Sequence, residues 1–338
     1  MDINGHQCTI VWHVDDLKIS HVDPDVVTDI INKLNDRYGK LKKLVATRGK
    51  IHDFLGITID YTQEGKVSMS MKKYIQEIID EAPDDFSGTA PTPAANHLFE
   101  IETRTENMKL LSAEQKRTFH HITAQLLFLS KRTRPDIQTA IAFLTTRVSR
   151  PDIHDWKKLG RVIKYLRGSK DLDMTLESDS LNVVKWWADG AFAVHSDCKS
   201  HTGAVMSLGK GAAYSTSTKQ KLNTKSSTEA ELVAVDDVMA QVIWTRNFIK
   251  SQGYDTGPSV MHQDNQSAIL LEENGMESSS KRTRHINIRY FFVKDRVDSN
   301  EIKIKYCPTT EMIGDFLTKP LQGATFRKFR DLILNVDS

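Results

Sequence analysis

Four acidic residues in the second half of the chain have the type and spacing to form a metal-dependent hydrolytic centre. Asp189 follows an apolar, aromatic run, and Glu231, Asp264 and Asp315 come later in the chain. Carboxylates that converge at one edge of a sheet repel one another unless a cation lies between them. Mg²⁺ suits such an oxygen-rich cluster, and two ions about 4 Å apart are the usual apparatus for in-line attack on a phosphodiester. The four residues therefore predict phosphodiester hydrolysis.

Each acid lies at the boundary of a predicted element. The run from Val184 to Phe192 predicts a buried strand that delivers Asp189 to an open edge. Ser226 begins a capping cluster ahead of a long amphipathic helix that continues through Phe248. A strand over 259–264 and an alternating strand over 301–307 follow, and Asp315 lies on a last helix. The predicted order is strand, hairpin, helix, strand, helix, strand, helix.

Two acids compete for one place in this arrangement. Glu229 and Glu231 both lie in the first turns of the long helix. At 3.6 residues per turn, positions two apart point to nearly opposite sides. Only one of the two can face a common site.

The motifs around these acids resemble the RNase H domain that ends the Pol polyprotein of copia-type LTR retrotransposons. The resemblance rests on these segments, which occur in the family's order over about 150 residues: Trp187-Ala188-Asp189, Ser217 to Gln220, Leu222 to Leu232, Gln263 to Ala268, Lys281 to Ile288, Tyr306 to Thr309 and Gly314 to Pro320.

The resemblance implies a fold, an activity and a set of ligands. The fold class is mixed α/β (α+β), with an RNase H-like five-stranded sheet and flanking helices. The implied activity is cleavage of the RNA strand of RNA–DNA hybrids, with Asp189, Glu231, Asp264 and Asp315 as ligands of two Mg²⁺ ions that Mn²⁺ can replace. The family pattern Glu-Leu-x-Ala selects Glu231 and leaves Glu229 as a first-turn acid that favours the helix dipole.

Composition sets broader limits on function. The 338 residues contain 46 Lys and Arg against 44 Asp and Glu, so the chain as a whole is not a basic coat for nucleic acid. Its three cysteines are odd in number and show no Cys-x-x-Cys spacing, so the sequence supports neither a zinc site nor a disulfide framework. The N-terminus lacks a signal peptide, and no apolar run approaches 18 residues. These features predict a soluble, intracellular protein with no membrane partner.

Two basic segments flank the predicted centre. Five lysines and no acid lie between Asp197 and Glu229, and eight basic residues against three acids lie from Lys281 to Lys305. One such run is as often a solvated face, but two beside a carboxylate site favour a groove that follows phosphates. His285 either contacts the hybrid or has a structural role at a helix start. The predicted nucleic-acid contacts are Lys219, Gln220, Lys221, Lys281, Arg282, Arg284 and His285.

A second pair of acids lies near the N-terminus. Asp15 and Asp16 stand between two apolar segments, as in a strand, a tight turn and a second strand. Adjacent acids in a turn are commonly only turn residues. In this context they resemble the Tyr-Val-Asp-Asp hairpin of reverse transcriptases, with His13 in place of Tyr. That family needs a third aspartate on an earlier strand outside this chain, so we expect no DNA synthesis by this chain alone.

The resemblance divides the chain into three predicted segments. Residues 1–92 correspond to a truncated reverse transcriptase with a palm hairpin and the start of the thumb, 93–180 to a helical thumb or connection region, and 181–338 to the RNase H domain. A linker rich in turn formers over 84–95 marks a soft boundary. The helical residues Arg132, Arg134, Arg147, Arg161, Lys164 and Arg167 either contact backbone phosphates or form solvated faces.

The expected partners and location follow from the same resemblance. They are an RNA–DNA hybrid and the remaining polyprotein parts, namely gag, protease, integrase and the upstream reverse transcriptase. The expected location is the cytoplasm, in virus-like particles, or the nucleus. The alternative is a catalytically inert, nucleic-acid-binding relic of a degenerate retroelement.

Overall fold

The computed structural model describes residues 1–102, 109–274 and 287–336. The strands are β1 Asp2–Ile3, β2 His6–Gln7, β3 Thr9–His13, β4 Asp16–Ser20, β5 Ile51–Phe54, β6 Ile57–Asp60, β7 Lys66–Ser70, β8 Met174–Ser178, β9 Lys185–Ala191, β10 His201–Ser207, β11 Gly209–Lys210, β12 Tyr214–Lys219, β13 Ser259–Gln263 and β14 Ile302–Tyr306. The helices are α1 Pro24–Tyr38, α2 Lys72–Glu81, α3 Ala113–Ser130, α4 Gln138–Thr145, α5 Ile153–Gly168, α6 Ser227–Ser251, α7 Gln266–Asn274, α8 Asn287–Asp298 and α9 Gly323–Leu334.

The predicted mixed sheet of five strands is confirmed. Its strand order is β12-β10-β9-β13-β14. The hairpin strands β9, β10 and β12 pair antiparallel, whereas β13 runs parallel to both β9 and β14. Numbered within the sheet, the order is 3-2-1-4-5, so the first strand lies at the centre, as in an RNase H-like fold. Asp189 is on that central strand, opposite Gly203 of β10.

The two faces of this sheet are covered by different elements. The helix α6 packs over one face, where Trp186 is fully buried in a core with Val235 and Met261. Trp187, its neighbour on β9, points to the other face because adjacent strand residues alternate. That face is covered by α4 and by a 3-10 segment, Ile313–Leu317. The two tryptophans therefore pack on opposite faces of the sheet.

A second sheet joins all three predicted segments. Its order is β11-β8-β7-β6-β5, so β7 of the first segment pairs with β8 of the second, and β8 pairs with β11 of the third. One hydrophobic core runs from Met71 on the N-terminal side of α2 to Ile333 on α9. The boundaries at 92 and 180 remain predictions, and the sheet and the core cross both of them.

The last acid lies on a different element from the predicted one. Gly314, Asp315 and Phe316 belong to the 3-10 segment rather than to an α-helix, and α9 begins only at Gly323. A tight turn fits here because the segment packs directly on the central strand: a Cβ at position 314 would lie 3.0 Å from Cβ of Asp189. None of the described helices is long and apolar enough to cross a membrane.

Candidate metal centre

Asp189 is placed by the central strand and held from the opposite face. It follows the apolar residues of β9 and is 2% exposed. Thr318, just after the 3-10 segment, donates a short hydrogen bond from its hydroxyl to Oδ2 of Asp189. The side chain is therefore fixed between the sheet and the segment that also carries Asp315.

Glu231 reaches Asp189 because α6 lies very close to β9. Ser226 caps the helix by accepting from the amide of Glu229, as its sequence predicts. A Cβ at Gly190 would lie 2.3 Å from the carbonyl oxygen of Ala230, so only glycine permits this approach. The amide of Gly190 then donates to Oε2 of Glu231 at 2.9 Å.

The choice between the two acids of α6 follows the predicted geometry. Glu231 turns toward the sheet, while Oε2 of Glu229 accepts from the amide of Lys225 at 2.6 Å, ahead of the helix. Glu229 thus supports the N-terminus of α6, where an acid also interacts favourably with the helix dipole.

Asp264 completes a cluster of three carboxylates at the end of β13. One carboxylate oxygen from each of Asp189, Glu231 and Asp264 lies within 4.8 Å of the other two. Asp264 is the most exposed of the three, and it accepts a 2.9 Å hydrogen bond from the hydroxyl of Thr309. The cluster is open to solvent on the Asp264 side.

Asp315 joins the centre through a lysine that the sequence reasoning did not single out. The ammonium of Lys319 lies 2.6 Å from Oδ1 of Asp315 and 3.8 Å from Oδ1 of Asp189. The signal was present in the sequence as an acid and a lysine four residues apart.

The carboxylates raise one another's proton affinity. Burial raises the pKa of Glu231 well above its ordinary value, and the charges of Asp189 and Asp264 raise it further. Burial, followed by the charge of Asp189, raises the pKa of Asp315 to about 7, although Lys319 opposes the shift. Burial lowers the pKa of Lys319, but Asp189 and Asp315 together outweigh that effect and raise it.

These residues fit a hard divalent cation. The donors are carboxylate oxygens, which are the ligands of Mg²⁺ and Mn²⁺. Burial and the charges of Asp189 and Asp264 raise the pKa of Glu231, whereas Lys319 supplies positive charge beside Asp315. A cation between Asp189, Glu231 and Asp264 would relieve the repulsion.

A buried histidine pair holds the segment that carries Thr318 and Lys319. Ser217 donates to the carbonyl of Leu317 at 2.7 Å, so its oxygen is left to accept from Nε2 of His201 at 2.8 Å. Nδ1 of His201 then accepts from Nε2 of His195 at 3.0 Å. Burial lowers the pKa of His201 to about 3 and that of His195 to about 4, which keeps this neutral arrangement. No sequence motif had indicated the pair.

The predicted nucleic-acid contacts divide into three groups. Lys219 pairs with Asp197 at 2.7 Å, and Lys221 is exposed. Gln220 is 1% exposed and its amide donates to Thr202 and to the carbonyl of Ala230, so its expected contact with nucleic acid is corrected to a structural role. The remaining four lie outside the described residues: Lys281, Arg282, Arg284 and His285.

Two of the helical arginines are also structural. Arg134 is fully buried and forms a two-pronged ion pair with Asp136. Arg147 binds Asp155 at 2.9 Å. Burial makes Arg134 unavailable to backbone phosphates, whereas Arg147 is 17% exposed on its side chain and already paired with an acid.

The N-terminal acids are placed as the sequence predicted. Asp15 lies in the turn between β3 and β4, and Asp16 is the first residue of β4, paired with His13. The hairpin forms a sheet of its own with only two strands, and both acids are exposed. Neither belongs to a group of three potential ligands among the described residues.

Comparisons with known proteins find curated relatives that align with nearly the whole chain. No protein-family model matches it. It is 27% identical over 331 residues to the retrovirus-related Pol polyprotein from transposon TNT 1-94 of Nicotiana tabacum, covering 96% of this chain and 24% of that protein. It is also 27% identical over 326 residues to the Pol polyprotein from transposon RE1 of Arabidopsis thaliana, covering 95% and 21% respectively. The chain thus spans less than a quarter of the length of these relatives.

One solved structure supports the fold across both halves. It is a foamy viral protease–reverse transcriptase in complex with an RNA/DNA hybrid, with a TM-score of 0.54 and 13% identity, covering 93% of this chain and 37% of that one. At that identity the likeness shows the fold alone. Together with the curated relatives, it confirms the resemblance of this chain to the retrovirus-related Pol polyproteins of transposons.

Proposed function

We propose that the chain is a ribonuclease H that cleaves the RNA strand of RNA–DNA hybrids. The observation that carries the proposal is the convergence of Asp189, Glu231 and Asp264 within 4.8 Å at one edge of an RNase H-like sheet. Asp315 is tied to the same place through Lys319. Repulsion between the carboxylates makes such a cluster unfavourable for folding. The same carboxylates can hold the divalent cations that phosphodiester hydrolysis uses.

The four carboxylates have distinct tasks in this proposal. Asp189, Glu231 and Asp264 would hold one divalent cation, and Asp189 with Asp315 would hold the second. Two Mg²⁺ ions there would supply activation of the attacking water and stabilisation of the leaving 3′ oxygen. Thr318 orients Asp189, and the amide of Gly190 orients Glu231.

Lys319 has a role before substrate arrives. Its ammonium lies 2.6 Å from Oδ1 of Asp315 and 3.8 Å from Oδ1 of Asp189, and this positive charge reduces the repulsion between the two carboxylates. It is 42% exposed on its side chain, so it can turn toward an incoming phosphate.

The substrate class is inferred from the relatives and from nucleic-acid chemistry. The structurally similar reverse transcriptase was solved with an RNA/DNA hybrid. A ribonuclease H distinguishes such a hybrid by reading 2′-hydroxyls on one strand and a deoxy backbone on the other. The exposed Lys221 lies near the end of β12, where a strand leaving the centre could be contacted.

The test is cleavage of a hybrid whose RNA strand is labelled, with Mg²⁺ and with EDTA. Duplex DNA and duplex RNA of the same sequence are the substrate controls. We expect Mg²⁺-dependent cuts in the RNA of the hybrid only, and none from the Asp189→Asn protein. Hybrid that is bound and left intact by the folded wild-type chain would contradict the proposal and favour the inert nucleic-acid-binding relic.

A further inference from the structure

A basic groove lies along α5, outside the carboxylate centre. It is a cavity of about 570 Å³ between α5 and the strap, which we define as residues 89–102. The α5 side supplies Lys157, Lys158, Arg161 and Lys164, together with His154. The strap contributes two acids, Glu100 and Glu102, so cations outnumber acids on the groove wall.

Two of the four cations fasten the strap to the helix. The ammonium of Lys158 donates to the carbonyl of Glu100, and the guanidinium of Arg161 donates to the carbonyl of Thr92 at 3.1 Å and to its hydroxyl at 2.9 Å. Burial lowers the pKa of both Lys158 and Arg161. These two charges are held partly out of water by neutral carbonyls instead of carboxylates.

The other two cations are available to a ligand. Among the described residues, no carboxylate lies within 4.0 Å of the side-chain nitrogen of Lys157 or Lys164, and neither nitrogen donates a hydrogen bond to the described part of the chain. Seven residues of helix separate them, which is about 10 Å along the axis. That length spans about three nucleotides of one strand at 3.4 Å each.

A second cavity lies beside the carboxylate centre and shares part of its wall with the groove. It measures about 580 Å³ and is lined by His195, Thr318 and Lys319 on the side of the centre. Glu100 and Ile101 of the strap line both this cavity and the groove. A strand that passes Lys319 and crosses the strap at Glu100 and Ile101 would reach the groove.

The geometry points to the α5 groove as the path of a nucleic-acid strand that extends from the carboxylate centre, with Lys157 and Lys164 contacting its backbone phosphates. This inference rests on the proposed function for the identity of the strand. Lys157 is exposed and Lys164 is half-buried, and both line a cavity whose wall also holds the partly desolvated cations of Lys158 and Arg161. A polyanion with regularly spaced charges matches cations that recur along one helix face.

The test is hybrid binding measured by fluorescence anisotropy without divalent cation, so that no cleavage occurs, over a range of salt concentrations. The variant is Lys157→Gln/Lys164→Gln. The matched control is Lys33→Gln/Lys116→Gln, which removes two exposed lysines of α1 and α3 that line neither cavity. Melting temperatures of all proteins establish that they are folded.

We expect weaker binding and a shallower dependence of log affinity on log salt in the groove variant, by roughly 1.5 in slope, because two phosphate contacts are lost. Lys157→Arg/Lys164→Arg should restore the wild-type slope, and Lys157→Glu/Lys164→Glu should reduce binding further. A groove variant with the slope of the wild type would overturn the inference and leave the ribonuclease proposal intact. If the hybrid is bound with the expected slopes but is never cut in Mg²⁺, the ribonuclease proposal fails and the groove remains a binding site for nucleic acid.

Discussion

The chain contains two groups of acidic residues, and the structure treats them in opposite ways. Asp15 and Asp16 are adjacent in sequence, exposed, and carried by a two-stranded hairpin that pairs with no further strand in the described part of the chain. Asp189, Glu231 and Asp264 are far apart in sequence, yet their oxygens lie within 4.8 Å of one another. Sequence proximity of acids therefore says little about a site.

The difference lies in what surrounds each group. The centre at Asp189 is enclosed by the sheet, α6 and the 3-10 segment, and glycines at 190 and 314 allow those elements to approach. Enclosure desolvates the carboxylates and makes them interact. The hairpin offers its two acids no such walls, so they stay in water.

The largest expected effect comes from removing one charge of the enclosed group. Glu231→Gln should lower hybrid cleavage on the order of 10³-fold. The substitution removes a metal ligand, so the positive charge that the cation would direct at the reacting phosphate is lost or misplaced. Single-turnover cleavage measures this loss. In urea without metal, the same variant should unfold at a higher concentration, since a crowded carboxylate is gone.

The matched control for that variant is two residues away. Glu229→Gln changes the same charge on the same helix, but position 229 faces Lys225 rather than the centre. Cleavage should stay within about twofold of the wild type because a glutamine still accepts from the amide. Equal losses in the two variants would show that the helix, rather than the site, is affected.

The pH dependence of stability should distinguish the enclosed carboxylates from the exposed pair in the hairpin. The pKa of Asp315 rises from 3.8 to about 7, so the folded chain holds a proton that the unfolded chain releases. Without metal, the contribution of Asp315 to the free energy of unfolding should therefore be largest below about pH 4. It should fall as the pH rises to about 7. Urea titrations across that range measure the slope. Asp315→Asn should flatten it.

A smaller effect is expected at the residue whose predicted role was corrected. Gln220→Ala should lower the free energy of unfolding by about 1–3 kcal/mol, because two buried acceptors lose the amide that joins β12 to β10 and α6. Lys221→Ala, its exposed neighbour, should change stability by less than about 0.5 kcal/mol. A Gln220→Ala protein that is as stable as the wild type but binds hybrid poorly would reinstate the nucleic-acid contact.

The smallest effect is expected at the exposed group. Asp15→Asn/Asp16→Asn should cleave hybrid within about twofold of the wild type, because neither acid contributes to the described carboxylate cluster. The same cleavage assay measures it. A loss comparable to that of Glu231→Gln would mean that the hairpin belongs to the active centre.

The sequence predicted the secondary-structure elements better than the contacts between them. The capped helix α6, the strand that carries Asp189 and the strand that ends just before Asp264 are where periodicity placed them. These features depend on local patterns of apolar residues and caps. Lys319 and the pair of His195 and His201 were missed, because their roles arise only when distant strands bring them to one place. Gln220 was misassigned since a polar residue in a basic run gives no sign of burial.

The most direct measurement of the central claim is the melting temperature as a function of Mg²⁺ at pH 8, for the wild type, Asp189→Asn and Asp15→Asn/Asp16→Asn. A cation that binds only the folded centre stabilises it by mass action. We predict that Mg²⁺ raises the melting temperature of the wild type and of the hairpin variant, and that it has little effect on Asp189→Asn. An equal rise in all three proteins would show that the enclosed carboxylates are not the cation site.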